Sequence, residues 1–320
     1  MQNLKTRYLP IIPTIAPRRG FPDSYRYYIG IYMIESFPSL FLGVDGGGTS
    51  CRAALLADGK RHEVQLGSAN VSTDFDGATA TVTAALAQLA DRAGIPVAVL
   101  ENAPAHVGLA GVMSPAIAAD VAAALPLRQV TVTDDRPTMI AGALGDREGA
   151  VAAIGTGSFV GRQAGDRITG LGGWGFYIGD QASGAWLMRR SFEELMLAVD
   201  GLAEMTPFAR LLLDQHGGDP GAVVQFSLRA RPADYGRLAR KLVEAAEAGD
   251  PLAAGLMTEG AEYIRRGLDR LGKTTDEVLC LTGGLGPAYG RWLGLDTVAP
   301  LGTALDGALA LARRQQETAR

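Results

Sequence analysis

From Phe41 to the C-terminus the chain alternates short apolar runs with helical patterns. Phe41-Leu42-Gly43-Val44 and Ala53-Ala54-Leu55-Leu56 predict strands over 41–46 and 51–57, joined as a hairpin around Asp45-Gly46-Gly47-Gly48-Thr49. A third strand is predicted over 63–67, then an amphipathic helix from Ala78 to Ala93 with Asp74 or Asp76 as its cap. His106 to Leu109 and Gln129 to Thr133 read as strands, with helices over 114–125 and from about Pro137. The second half restarts in the same way. Strand 149–154, the turn Gly155-Thr156-Gly157-Ser158 and strand 158–163 repeat the opening hairpin. Helices follow near 181–199, 204–215, 236–248 and 253–271, then strand 277–281 running into Thr282-Gly283-Gly284-Leu285-Gly286, and a last helix from Ala304 to Arg314. Two such openings predict an α/β protein of two like-built domains around a cleft. The boundaries are 41–144 and 145–303, with a C-terminal helix over 304–318 free to cross back onto the first domain.

Residues 1–40 break the pattern. Pro10, Pro13, Pro17 and Pro22 interrupt them, and Tyr25, Tyr27, Tyr28 and Tyr32 cluster without the unbroken apolar core of a signal peptide. A flexible extension is expected there, with Met33 a candidate translation start.

Composition narrows the function classes. Hydrophobic content of 47% and charged content of 20% are those of an ordinary soluble globular protein. A net charge of −4 leaves no electrostatic footprint for nucleic acid. No apolar run approaches the length of a transmembrane helix, so no membrane partner is expected. The two cysteines, Cys51 and Cys280, exclude a disulfide framework, a four-cysteine zinc site and a self-contained iron–sulfur cluster. They suit a reducing, cytoplasmic location.

The glycine turns carry the first chemical signal. Glycine lets backbone approach a ligand closely, and successive N–H groups in such turns form anion-holding concavities. One turn is weak evidence, because hairpins use the same residues. Three, all at strand ends, suggest nucleotide phosphates gripped from several sides. Asp45 ends a strand with apolar neighbours, and a buried carboxylate needs a metal, a cation or several donors. It is expected to orient hydrated Mg²⁺ while Gly46, Gly47, Gly48 and Thr49 hold phosphate oxygens; a plain aspartate turn leaves the extra glycines unexplained. Asp134-Asp135 follows a strand and precedes a helix with Pro137 in its first turn. One carboxylate is expected to cap the helix while the other reaches the crevice as a proton acceptor.

The segment from Gly172 to Gly184 mixes aromatics, glycines and planar polar groups, as carbohydrate sites do. The competing reading puts Trp174 and Tyr177 in a core and makes Asp180 a helix cap. Gly267 to Thr274 satisfies the spacing of a phosphate-binding loop, but it sits inside a helical pattern and before a strand, so Gly272 reads as a helix terminus. His62, His106 and His216 lack metal-ligand spacing and read as surface or structural groups.

These motifs resemble the sugar kinase, heat-shock ATPase and actin superfamily, and more closely the N-acetylglucosamine and glucosamine kinase group related to the BadF/BadG/BcrA/BcrD ATPases. Phe41 to Leu56 and Ala152 to Phe159 look like the two phosphate motifs, Cys280 to Gly286 like the adenosine motif, and Gly172 to Trp186 like the sugar-binding stretch. The resemblance covers residues 41–315. It implies two ribonuclease-H-like domains around an inter-domain cleft, ATP and Mg²⁺ as cofactors, a small-molecule amino sugar as partner, and a homodimer as the common assembly. By it, Asp135 matches the catalytic base through its spacing to Ile140-Ala141, with Asp134 where relatives often carry Asn or Thr. Asn70, Gly173, Trp174, Gly175 and Asp180 match sugar contacts; Thr49, Thr156, Gly283 and Gly284 match nucleotide contacts, beside Gly155, Gly157 and Ser158. Gln181 stands where many relatives have glutamate, and its amide both donates and accepts. The implied reaction moves the γ-phosphoryl of Mg-ATP to the 6-hydroxyl of N-acetylglucosamine or glucosamine. Two alternatives compete. An ATPase activator of a radical dehydratase needs a cluster between subunits, for which neither cysteine is placed. A non-catalytic sugar or nucleotide sensor predicts a damaged phosphate loop or base, and both look intact. The missing zinc-binding cysteine motif weighs against a glucokinase of that type.

Overall fold

A computed structural model describes residues 40–318; the extension expected over 1–40 lies outside the described residues except for Leu40. Strands β1 (Leu40–Gly46), β2 (Cys51–Ala57) and β3 (Lys60–Leu66) form an antiparallel meander with Gly46 opposite Cys51. Helices α1 (Phe75–Ala93) and α2 (Val97–Leu100) lead to β4 (Ala105–Leu109), parallel to β1, and α3 (Pro115–Ala124) leads to β5 (Val130–Thr133), parallel to β4. After α4 (Asp135–Leu144), strands β6 (Gly149–Ile154), β7 (Ser158–Ala164) and β8 (Arg167–Gly172) repeat the meander. Six helices follow: α5 (Gly184–Val199), α6 (Pro207–Asp214), α7 (Pro220–Arg229), α8 (Pro232–Gly236), α9 (Ala239–Glu247) and α10 (Pro251–Leu271). Then β9 (Val278–Thr282) lies parallel to β6, and α11 (Gly286–Leu293) and α12 (Ala304–Thr318) close the chain.

The sheet orders are β3-β2-β1-β4-β5 and β8-β7-β6-β9. The second copies the first through four places, and its fifth place holds a single parallel bridge between Cys280 and Val298. Both sheets therefore follow the ribonuclease-H-like order that the resemblance implied. The central strands β1 and β6 are covered on both faces, as parallel neighbours require, and read as near-continuous apolar runs.

Two helices lie between the sheets. α4 turns Ile140, Ala143 and Leu144 to Val151, Phe159 and Cys280 of the second sheet. α12 turns Leu305, Leu309 and Ala312 to Phe41 and Ala54 of the first. Where these helices cross, backbone meets backbone. A Cβ on Gly307 would fall 1.9 Å from the Thr138 carbonyl oxygen, and one on Gly142 would fall 1.9 Å from that of Thr303. Any side chain at either position forces the helices apart.

Several element ends differ from expectation, each for a local reason. Asp74 accepts the Gly77 N–H, so α1 starts at Phe75, one turn before Ala78. α5 starts only at Gly184, capped by Ser183, because Asp180 and Ala182 take φ of 56° and 71°. The helix read over 236–248 is α9, which starts at Ala239, and the short α8 precedes it, ending at Gly236. Gly272 ends α10 in the left-handed region at φ 72°, which disposes of the phosphate-loop match. β8, α2, α7 and α11 went unpredicted; β8 is a half-exposed edge strand with no continuous apolar run.

His106 is structural. It lies buried in β4, and Gln315 of α12 donates from Nε2 to its Nδ1 at 3.0 Å. Its Nε2–H donates to Thr133 Oγ1 at 3.0 Å, and that hydroxyl donates to the Asp134 carbonyl at 2.8 Å. The chain of donors requires the neutral ring, and burial pulls the imidazole pKa from 6.5 to about 4. The unfolded chain thus takes up this proton first as pH falls. Stability from the neutral ring is complete above about 6.5 and lost towards about 4. Denaturant unfolding across that window is expected to show His106→Asn losing less stability than wild type, by on the order of 3 kcal/mol. Equal losses would remove His106 as the source.

Candidate active site

A cavity of about 600 Å³ opens where the C-terminal ends of β4, β5, β6 and β9 converge, the usual ligand crevice of α/β sheets. Of the residues singled out from sequence, Asp135, Gly155, Thr156, Gly157, Ser158, Gly173, Trp174, Asp180 and Gly283 line it. Asp45, Gly46, Gly47, Gly48, Thr49, Asn70, Gly175, Gln181 and Gly284 stand outside the lining, and several of them are tied to residues beside it. The Ala110 N–H donates to Gly46 at 2.8 Å and the Ala69 N–H to Gly47 at 3.0 Å, tying the first glycine turn to the segment beside Gly111, which lines the cavity. Asn70 is held by Ser72, whose N–H and hydroxyl both donate to its Oδ1, and that oxygen lies 2.6 Å from where a Gly111 Cβ would sit. The Gly175 N–H donates to Asp180 Oδ1 at 3.2 Å, and Ser158 Oγ donates to the Gln181 carbonyl at 2.5 Å.

The glycines fall into two classes. At Gly283 the fold itself demands glycine, since an added Cβ would approach the Ile154 carbonyl oxygen at 2.3 Å; at Gly46 and Gly157 it would crowd side-chain ends, Leu109 Cδ2 at 2.4 Å and Asp180 Oδ2 at 2.8 Å, which would have to shift. Gly283 also has φ +80°. At Gly47, Gly48, Gly155 and Gly284 nothing crowds the position, the nearest atoms standing 3.8 Å away or farther, and φ lies outside the region that favours glycine. Packing gives no reason for bare backbone at these four positions, and bare backbone is what lets a ligand approach closely.

The two adjacent carboxylates divide their work. Asp134 accepts the Arg136 N–H at 2.8 Å and caps α4. Asp135 occupies the first helical turn, since α4 begins two residues before the expected Pro137. Burial, and then the charges of Asp134 and Asp45, push the Asp135 carboxyl above the ordinary carboxylate value, with Arg136 opposing. Asp45 is itself ion-paired to Arg52 across the β1–β2 hairpin at 2.5 Å. Among the described residues no group of three or more His, Cys, Asp or Glu side chains could hold a metal ion. Asp45 fits Mg²⁺ only as a lone carboxylate partner, the kind of site in which that ion keeps water and relies on substrate phosphates.

On the opposite wall, Trp174 and Tyr177 are 71% and 82% exposed, so they do not fill a core. Asp180 is buried at φ 56°, its carboxyl raised by burial against hydrogen bonds from Gly175 and Ser158, and Ser183 takes the capping role instead. Backbone strain of this kind, on the order of 1–3 kcal/mol, gathers at ligand clamps. Thr282, from the third glycine turn, and Arg136, which sequence did not single out, also line the cavity. The Thr282 hydroxyl is buried without a hydrogen-bond partner; Arg136 stood beside the carboxylate pair, but its reach to β8 is visible only in three dimensions. Cys51 and Cys280 are both buried in strands, and burial pushes the Cys51 thiol up to about 12, so neither suits a cluster shared between subunits.

This chain belongs to the BadF/BadG/BcrA/BcrD ATPase family, which matches residues 42–291. It is 32% identical over 286 residues to glucosamine kinase GspK of Vibrio cholerae, covering 86% of this chain and 96% of that protein. The crystal structure of a candidate N-acetylglucosamine kinase from Chromobacterium violaceum is 33% identical, with a TM-score of 0.70 over 86% of this chain and 99% of that one. A ROK hexokinase from Thermus thermophilus, 21% identical with a TM-score of 0.52 over 87% and 99%, shares the fold. No helix among the described residues is long and apolar enough to cross a membrane.

The two glycine classes predict opposite stability effects. Ala at Gly48 or Gly155 is expected to leave unfolding free energy within ~0.5 kcal/mol of wild type, whereas Ala at Gly283 is expected to cost ~1–3 kcal/mol. Denaturant melts of the three variants decide it; equal losses at all three would erase the distinction.

Proposed function

We propose that this chain transfers the γ-phosphoryl of Mg-ATP to the 6-hydroxyl of an amino sugar, glucosamine or N-acetylglucosamine. Membership of an ATPase family and the glucosamine kinase that aligns over most of both chains support an amino-sugar kinase with ATP as donor. The acceptor hydroxyl, the metal and the residue roles are our reading. It rests on one observation above all: a cavity with a half-buried carboxylate, Asp135, on its wall is also lined by the Gly155 turn, whose bare backbone packing does not demand.

In this reading Gly46, Gly47, Gly48 and Thr49, with Gly155, Thr156, Gly157 and Ser158, present N–H and hydroxyl groups to the phosphates, and Gly283 and Gly284 hold the adenosine side. Asn70, Gly173, Trp174, Gly175, Asp180 and Gln181 bind the sugar, with the exposed Trp174 ring offering a flat apolar face. Asp135 takes the proton of the sugar hydroxyl as its oxygen attacks phosphorus, and the raised affinity for protons strengthens it as a base. Fixed N–H donors stabilise the charge spread over the transferring group. Asp45, through water, would hold Mg²⁺, which supplies neutralisation of phosphate charge. The bodies 41–144, with 304–318, and 145–303 close on the sugar and exclude competing water. A cytoplasmic location and a homodimer belong to the same proposal.

Two outcomes are expected from a coupled ADP-release assay. Wild type releases ADP in response to glucosamine or N-acetylglucosamine in preference to glucose. Asp135→Asn keeps nucleotide affinity but turns over ~10²-fold more slowly or worse. Undiminished phosphorylation by that variant would strip Asp135 of the role.

A further inference from the structure

Arg136 is the one cationic side chain among the described residues lining the cavity. Its guanidinium grips both oxygens of Asp134, Nε to Oδ1 at 2.9 Å and Nη2 to Oδ2 at 2.8 Å, in the two-pronged geometry that makes arginine pairs directional. The remaining arm donates from Nη1 to the Gly172 carbonyl at 3.0 Å. Both ends of this bridge are rigid. Asp134 is pinned to the first turn of α4 by the backbone N–H it accepts. Gly172 closes β8 opposite Phe159, and the next residue, Gly173, donates its N–H to the Ser158 carbonyl at 3.0 Å. One arginine therefore links the helix start that carries Asp135 to the strand end from which the Gly173–Asp180 loop departs.

Folding gives little reason for this arrangement. Asp134 caps α4 without help from the guanidinium, and a partly exposed ion pair adds little stability. We propose that Arg136 is a positioning residue, which keeps the base-bearing start of α4 at one spacing from the Gly173–Asp180 loop and balances the charge of Asp134 beside Asp135. The inference rests on the kinase reading and adds to it a residue that touches neither reacting atom. Three charged groups bear on Asp135: Asp134 and Arg136 from the start of its own helix, and Asp45 of β1, itself paired to Arg52 of β2; Asp180 lines the same cavity. Removing the guanidinium leaves Asp134 unpaired and raises the proton affinity of Asp135. Removing the Asp134 charge frees the guanidinium and lowers it.

The two substitutions thus push one titration in opposite directions, which a merely structural defect does not do. Arg136→Gln is expected to lower kcat/KM for the sugar ~10–100-fold, with KM for ATP within about twofold, and to move the acid limb of the rate profile to higher pH. Asp134→Asn, which retains a capping side chain, is expected to move that limb to lower pH, and the double variant to lie between. Arg136→Lys is expected not to restore sugar KM, because one ammonium cannot replace the fork and the third arm. Carboxyl titration of Asp135 by NMR in the sugar-free protein reports the same opposed shifts without any turnover. Shifts of one sign in both variants, or no shift in either, would overturn the proposal. A wild type that turns over no sugar would instead defeat the kinase reading while the NMR titration still judges Arg136.

Discussion

The contact on which the rest depends is the crossing of α4 and α12, where Gly142 and Gly307 let two helical backbones touch. Each helix carries an apolar cluster to a different sheet, α4 through Ile140 and Leu144, α12 through Leu305 and Leu309. The crossing is thus a joint between two separate cores. Its position also decides chemistry. Thr138, whose carbonyl abuts Gly307, lies one turn from Asp135, and its hydroxyl donates to the Asp135 carbonyl at 2.8 Å. Movement of the joint therefore moves Asp135, the base in the proposed reading. The second link from α12 to this region runs through Gln315, His106 and Thr133 to the Asp134 carbonyl, so the helix start is braced from both sides.

The cavity that results combines an anionic wall with neutral donors. Asp134, Asp135 and Asp180 line it against a single guanidinium. A nucleotide tail entering such a space meets carboxylate repulsion, and main-chain amides of the glycine turns are the groups able to receive it without adding mobile charge. In the proposed reading, that balance gives the four uncrowded glycines more weight than those that packing already demands. It also explains why Asp45 stands paired to Arg52 and away from bulk water.

Much of this was legible in sequence because the signals are local. Strand–turn–strand openings, the glycine turns, and a carboxylate pair at a strand end each occupy one short consecutive stretch, within the reach of turn and periodicity rules. The duplicated fold followed from seeing the opening twice. What escaped was set by distance or by weak pattern. β8 ends in glycines and alternates poorly, and α7 and α11 are short. The start of α5 is delayed by left-handed Asp180 and Ala182, a conformation no propensity assigns to those residues. The division of glycines into crowded and free depends on neighbours such as Leu109 and Ile154, far away in the chain. The third arm of Arg136 meets Gly172, thirty-six residues away, beyond any local pattern.

The most direct test is a crystal structure of the chain with a non-hydrolysable ATP analogue and glucosamine. The account requires the polyphosphate to lie against the backbone of Gly47-Gly48 and Gly155, with the sugar 6-hydroxyl hydrogen-bonded to Asp135 and facing the terminal phosphate. A nucleotide bound away from these turns, or a sugar whose hydroxyl meets a different carboxylate, would contradict it.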